Sequence, residues 1–522
     1  MTKRTHDALL DEPLIENVQD EEGNALHLTS SEINNPNTSV REANKDDTTS
    51  TNNHHHEEED PKRLKPSKGS LIDERSYQCP YLDSINRKVL DFDFEKECCE
   101  TLSNTNVYCC LVDGKFFKGK GETTPAFIHA LNEGHHIFMS LSNGKIYCLP
   151  DNYEVIDHTL DDIRFNLNPT YSEKEVQEID NQTRVCVALS NGAKFIPGIV
   201  GLNSIKQSTD GINVAIQALS RVKSVRNFFL LHQINLTKVK SRAVLLLREL
   251  LRKMWNPKSF KSHVNPHEFV QTILQNNKQF KLGESIDPVQ FFTWLLNFLH
   301  TELTNNQPKQ ESIISKTFRG KIIVTSTIIR RKKASATDSS SNPQHNEDDI
   351  TSQSKTPFMY LTLDVPSTPL FKDEYARNIL PQVSLFSLLS KFNGMKETAI
   401  PLKNGDVEMR RYKIEKLPPY LVFHVKRFSK NYFFEEKNNT VVNFPLKNLD
   451  ISEIYPSGAG STYNLVANIC HEGNIGEGTP YKIHIHHTAE DKWYEIQDLD
   501  VKEVLPEEVS ISQSFLLIYA KQ

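Results

Sequence analysis

Beyond residue 195 the chain changes its hydrophobic rhythm once, from helical to strand-like. SRAVLLLRELLRKMW, NPHEFVQTILQ and DPVQFFTWLLNFLHTEL carry apolar residues three and four positions apart, which predicts helices with one buried face. Asn265 and Asp287 read as N-caps, each followed by a proline suited to the first helical turn. Then come FRGKIIVTSTIIR, FMYLTLDVP, YLVFHVKRF, TVVNFP, YNLVANICHEG, YKIHIHH, KWYEIQDL and SFLLIYA, β-branched or aromatic runs that predict strands. A helical lobe followed by a long antiparallel sheet, with a groove between them, is an α+β architecture.

Upstream, HHIFMSLSNGKIYCLPDNYEVID alternates apolar and polar residues on either side of Asn143-Gly144, a hairpin signal. Aromatics first gather in QCPYLDSINRKVLDFDF, so a small α+β module is expected over 76–170. A polar linker, 171–194, then leads to the larger domain, 195–522. Two stretches are too polar and too poor in aromatics to offset the entropy of ordering. They are 1–75, expected as a disordered tail, and 333–356, expected as a disordered insertion at a loop tip.

Composition narrows the class. With 522 residues, 25% charged and 37% apolar, the chain is expected to fold as two or three globular domains with polar extensions. No apolar run approaches the roughly eighteen residues of a membrane span, and MTKRTHDALLDEP lacks the apolar stretch of a signal peptide. A net charge of −6 argues against a nucleic-acid surface, so PKRLKPSK, KVKSR and RRKK are read as solvated faces and direct RNA contact is not expected. PKRLKPSK fits equally a nuclear-localisation signal or a basic linker, and His54 to His56 read as part of a solvated polar run. Seven of the eight cysteines precede residue 190, some as adjacent pairs, which favours reduced thiols with a metal-binding subset over a disulfide framework.

The candidate metal centre lies in YCCLVDGKFFKGKG and the residues after it. Cys110 and Asp113 stand at C-x-x-C spacing in a turn, with His129 and His135 downstream. Two ligands from a tight turn and two from a later helix are a usual zinc solution, although a carboxylate in place of a thiolate weakens such a site. His136 could replace His135, and Cys98, Cys99 or Cys109 could replace Asp113. A metal-free fold with Cys110 as a small buried residue is the plainer reading.

The stretch GLNSIKQSTDGINVAIQAL, Gly201 to Leu219, places a polar turn before Ile212, Ala215, Ile216 and Leu219, one face of a helix. A nucleophile is commonly presented this way, yet the turn offers only Ser208, Thr209 and Asp210. Two further boxes follow in order: LPPYLVFHVKRF from Leu417, and YNLVANICHEG from Tyr463 with GTPY and WYEIQD after it. Together they resemble the ubiquitin-specific protease family from about Gly201 to the end, and imply its papain-like fold. The upstream module resembles the ubiquitin-protease-type zinc finger.

That family's chemistry needs a thiolate, a histidine to take its proton, and an Asp or Asn to hold the histidine. Carried over position by position, the nucleophile falls on Asp210, the base on Thr479 or Pro480, and the orienting residue on Gln497. None can play its part. His471 matches another histidine of the family's box, Cys470 reads as a buried strand residue, and His484, His486 and His487 read as a solvated or interface strand. The zinc set implied by the resemblance is Cys110, Asp113, His129 and His135, holding one ion. The second zinc of the family's fingers region is not expected, because no cysteine lies between Cys186 and Cys470.

RSYQCPYLDSINRKVLDFDFEKEC, YCLPDNYEVID and PGIVGLNSIK are similar to a subgroup of this family, the tri-snRNP-associated splicing factors, which carry Asp at the nucleophile position. The resemblance implies a nuclear, non-catalytic scaffold that binds spliceosomal tri-snRNP proteins and supports assembly or stability in pre-mRNA splicing. Competing readings are a ubiquitin-binding adaptor, for which Phe116, Phe117 and Lys118 imitate part of a ubiquitin-tail grip, and an active deubiquitinating thiol protease, against which the missing cysteine speaks.

Overall fold

The computed structural model describes residues 74–522 apart from 207, 232–240, 308, 330–349, 367–380, 403–405, 431–434, 456–460 and 474–480. Several calls therefore fall outside the described residues: the 1–73 part of the tail, with its histidine and basic runs, most of KVKSR, the RRKK run with the 333–349 part of the expected insertion, and positions Thr479 and Pro480.

The N-terminal module is a five-stranded antiparallel sheet with Val107–Cys110 near its middle, flanked by Phe116–Lys118 and Ile137–Ser140. The Asn143-Gly144 turn joins Ile137–Ser140 to Ile146–Cys148, and Gly144 adopts φ +69°, a left-handed conformation that glycine enters without strain. Successive strand residues face opposite sides. Cys109 thus joins the core beneath the sheet with Leu90, Phe92 and Cys148, while Cys110 joins the core under helix Pro125–Glu133.

This module is fastened to the larger domain. The Lys253 ammonium, in helix Arg242–Met254, donates to Phe92 O at 2.7 Å and lies 3.2 Å from both Asp93 and Glu249. Lys96 reaches Glu249 at 3.2 Å, Lys261 pairs with Asp91, and Asn265 N–H donates to Asp93. Phe260 belongs to the module's own core.

The 171–194 stretch, expected as a polar linker, is built into the fold. Ser172 and Glu175 form a capping box for helix Glu173–Glu178, Val176 is buried, and Tyr171 OH donates to Arg252 O at 2.6 Å. Its polar sequence reflects a surface position with two apolar anchors.

In the helical lobe, Asp287 caps Pro288–Leu303 as expected, accepting from Val289 and Gln290 N–H. Asn265 does not cap its helix: His267–Asn276 begins after Pro266, and Asn265 is drawn to the zinc-finger module instead. The lobe packs on one face of an eight-stranded sheet whose order runs Leu361–Asp364, Tyr420–Lys426, Ser514–Lys521, Thr462–His471, Tyr481–His487, Lys492–Gln497 and Asp500–Val504, with Leu449–Asp450 beside Thr462–His471. Ile469, Ile483, Ile485 and Ile496 join the lobe's core. On the other face Leu465, Leu517, Tyr519 and Trp493 form a second core.

A separate four-stranded sheet pairs Ile350–Phe358, Gly320–Ile329, Val407–Lys416 and Asn393–Pro401 in that order. Here the expected insertion is corrected at its C-terminal end. Residues 351–356, placed within the disordered stretch 333–356, run opposite Thr327 to Ile322 as a regular antiparallel strand. Backbone pairing to an existing long strand supplies what the polar sequence ITSQSKT lacks in apolar burial.

Candidate functional site

Helix Asp210–Ser220 enters the lobe at the groove. The sequence predicts one buried face, but all 11 residues are buried, because the helix passes between the lobe's other helices and the sheet. Gly211 is required by that passage: a Cβ there would lie 1.9 Å from Ile286 O.

The loop before the helix closes on itself. Thr209 Oγ1 accepts from Ile205 N–H at 2.9 Å, and Ser208 Oγ donates to Ile205 O and accepts from Gly283 N–H. Neither hydroxyl is directed to a base among the described residues. Asp210 is buried, and one carboxylate oxygen accepts from Tyr481 N–H at 3.2 Å. Burial raises its pKa, backbone N–H groups of Tyr481 and Gly211 oppose this, and the charge of Asp498 adds to it. Asp498 is also raised by burial, against a hydrogen bond from Asn213 Nδ2 at 3.2 Å. The buried Asp210 and the half-buried Asp498 thus place two carboxylates near each other at the start of the helix. Gln497 ends strand Lys492–Gln497, one residue from Asp498.

Behind the sheet, sequence reasoning missed a polar cluster. The strand carrying His484 is not solvated: His484 is 2% exposed, and its Nε2 lies 2.9 Å from Glu495 Oε2 and its Nδ1 3.5 Å from Cys470 Sγ. Glu495 faces His484 in the strand register, and Lys482 and Lys502 also hold Glu495, at 2.7 and 2.8 Å. Burial opposes protonation of His484, but Cys470 and Glu495 outweigh it and lift its pKa to about 9. His471 is driven the other way, to about 4, by burial and then by Lys437. Period-two alternation in YKIHIHH against KWYEIQ was the available signal.

In the N-terminal module Cys110, Asp113, His129 and His135 converge, their ligand atoms all within 4.8 Å of one another. Cys110 ends a strand, Asp113 sits in the turn closed by Gly114 at φ +79°, His129 comes from helix Pro125–Glu133, and His135 precedes the next strand. Individual separations are 3.6 Å for Cys110 Sγ to His135 Nδ1, 3.1 Å for His129 Nε2 to His135 Nδ1, and 3.4 and 3.9 Å from Asp113 Oδ2 to His129 and His135. Tetrahedral zinc with nitrogen and sulfur ligands needs edges of about 3.3 to 3.6 Å, so this donor set fits. Asp113 Oδ1 accepts from Lys115 N–H, leaving Oδ2 turned to the histidines.

The alternatives point elsewhere. His136 Nδ1 lies 2.8 Å from Leu149 O and its ring packs on Tyr81, and Cys98, Cys99 and Cys109 are outside the cluster. Without an ion, burial pushes the Cys110 thiol up to about 12 and lowers the pKa of His129.

A helical lobe on a mixed sheet, a fingers-like second sheet and an N-terminal zinc-finger fold define a ubiquitin-specific-protease architecture. The profile described as ubiquitin carboxyl-terminal hydrolase matches residues 200–519, and that described as a Zn-finger in ubiquitin-hydrolases and other proteins matches 97–160. The chain belongs to the ubiquitin carboxyl-terminal hydrolase family. It is 42% identical to human ubiquitin carboxyl-terminal hydrolase 39, over 88% of this chain and 83% of that protein. Against the probable mRNA-splicing protein ubp10 of Schizosaccharomyces pombe it is 38% identical over 84% of this chain and 88% of the relative. A crystal structure of an essential yeast splicing factor superposes with a TM-score of 0.67 at 29% identity, covering 85% of this chain and 99% of that one.

Proposed function

We propose that this chain is a non-catalytic splicing factor: a nuclear scaffold that binds protein components of the spliceosomal tri-snRNP and supports its assembly or stability. The observation that carries the reading is that Asp210, which the family resemblance aligns with the nucleophile, is a buried carboxylate bonded to Tyr481 N–H and acted on by the charge of Asp498. A carboxylate whose basicity is raised by burial, with no imidazole on it among the described residues, is a poor attacker on an amide. The names of the relatives as splicing proteins support the same direction. One zinc ion, held by Cys110, Asp113, His129 and His135, would cross-link the finger and neutralise its ligands without taking part in any reaction.

The ubiquitin-adaptor reading is less favoured, because Phe117 is buried and stacks on His129 with centroids 4.2 Å apart, so it presents no aromatic wall. Two measurements test the proposal. A fluorogenic ubiquitin amide should remain uncleaved by the wild type and by Asp210→Cys, which restores a thiol but no base; cleavage abolished by Asp210→Ala would refute the non-catalytic reading. A pull-down from nuclear extract should enrich tri-snRNP proteins, and their absence would refute the scaffold role.

A further inference from the structure

Helix His267–Asn276 and the 277–282 segment, together with Ile205 from the loop before Asp210, enclose a groove of about 610 Å³. Phe280 forms its buried floor, and the half-buried Ile205 and Leu274 and the 41% exposed Leu282 stand along it. Single apolar residues scattered over a surface need no explanation. Here they line one concavity whose accessible wall is almost wholly apolar, which is the form of a site that receives another apolar surface.

The rim gives the charge of the occupant. Lys278 and Lys281 belong to the lining and are both exposed, and no Asp or Glu is among the lining residues. Lys281 has the exposed Glu284 at 3.3 Å, and no carboxylate pairs with Lys278 among the described residues. Glu268, on the same helix, is engaged by Arg242 at 3.3 Å. An acidic, apolar peptide is the complement of such a groove, its charges adding specificity to apolar contact.

The chain itself contains one. DALLDEPLIE, residues 7–16, sets Leu9, Leu10, Leu14 and Ile15 among the acids Asp7, Asp11, Glu12 and Glu16 and holds no Lys, Arg or His. No other part of the first 73 residues combines four large apolar side chains with acids alone. So short a run has nothing of its own to bury these side chains against. The chain between residue 16 and Glu74, at about 3.3 Å per extended residue, is long enough to bring it to any part of the surface.

We propose that this groove is the docking site of the chain's own segment 7–16, whose leucines and isoleucine supply the apolar contact while its acids face Lys278 and Lys281. Since Ile205 lines the groove, the docked segment also covers part of the loop that leads to Asp210, and any outside protein using the groove has to displace it first.

The test uses the full chain and a fluorescent peptide of residues 7–16. A tethered segment acts at an effective concentration of about 1 mM, so at a site of about 0.1 mM affinity it weakens an added peptide about tenfold. The peptide should therefore bind the variant Leu10→Ser with Leu14→Ser, whose own segment is disabled, about tenfold tighter than wild type. Added to that variant, Leu282→Asp should abolish peptide binding, and Lys278→Glu with Lys281→Glu should weaken it, less so as salt is raised. Amide exchange across 277–283 should be slower in wild type than in the Leu10→Ser, Leu14→Ser variant, by the same factor at every protein concentration. Equal binding to wild type and to that variant, or binding that survives in Leu282→Asp with its fold checked by circular dichroism, would overturn the proposal. No saturable binding up to about 1 mM peptide would overturn it too and leave the groove to a partner protein. Slower exchange only at high protein concentration would overturn it in favour of a second copy's segment. If Leu282→Asp does not fold, the comparison of wild type with the Leu10→Ser, Leu14→Ser variant decides alone.

Discussion

Lys253→Met tests how the zinc finger is held to the larger domain. Lys253 is 9% exposed, and its ammonium is the one group shared by Phe92 O, Asp93 and Glu249. Burial opposes its charge, but the two carboxylates outweigh that and raise its pKa. Methionine keeps the stem packed and removes the charge. What remains is Asp93 and Glu249, mostly buried and facing each other without the ammonium, together with an unpaired carbonyl. Removing one partner of a buried ionic cluster costs about 3 to 5 kcal/mol. Lys96 still reaches Glu249 and Asn265 N–H still reaches Asp93, which places the expected loss near the lower end, about 3 kcal/mol. That is roughly a hundredfold in the folding equilibrium. Urea denaturation monitored by circular dichroism would read it, with Lys281→Met as control, since its pair with Glu284 is exposed and expected to be worth under about 0.5 kcal/mol. Limited proteolysis should cut Lys253→Met near residue 260 before wild type. A loss no larger than that of the control would refute the idea that this cluster fastens the two parts.

Asp113→Cys should raise zinc retention, because a thiolate replaces the weaker ligand; dialysis against a chelator followed by metal analysis should leave more zinc in this variant than in wild type, and Cys110→Ser should leave less. Gly211→Ala should cost roughly 3 kcal/mol or prevent folding, since its Cβ would collide with Ile286 O; an unchanged thermal midpoint would contradict the packing. His484 links stability to pH. Its folded pKa of about 9 lies above the unfolded value, so its contribution is complete below about pH 6.5 and is lost as pH rises through about 9. Stability measured from pH 6.5 to 9.5 should therefore fall in wild type and fall less in His484→Gln.

Particular residues mark what could be read from the sequence. Asp287 followed by Pro288 announced its helix, since a cap acts on the next few N–H groups and needs nothing distant. Asn143-Gly144 announced its hairpin for the same reason. Asn265 does not cap, because the helix starts one residue later than the sequence predicts, after Pro266, and its backbone N–H is bonded to Asp93, remote in sequence. The strand at 351–356 was hidden because its order comes from a partner strand and not from its own side chains.

The four metal-ligating candidates illustrate both halves. Their types and spacing were legible, but bringing His135 rather than His136, and Asp113 rather than Cys98, Cys99 or Cys109, beside Cys110 and His129 needed the alternation of side chains across one sheet and the aim of each ring. Sequence alone determined the order of a helical half followed by a strand-rich half, the absence of a cysteine from the turn before Ile212, and the family boxes, because each is encoded within a few neighbouring residues. Tertiary structure alone decided that the buried Asp210 feels the charge of the half-buried Asp498, that His484 is charged against Glu495, and that Lys253 joins two domains. Those pairs lie on separate segments, and their energies depend on burial and distance, which exist only once the chain has folded.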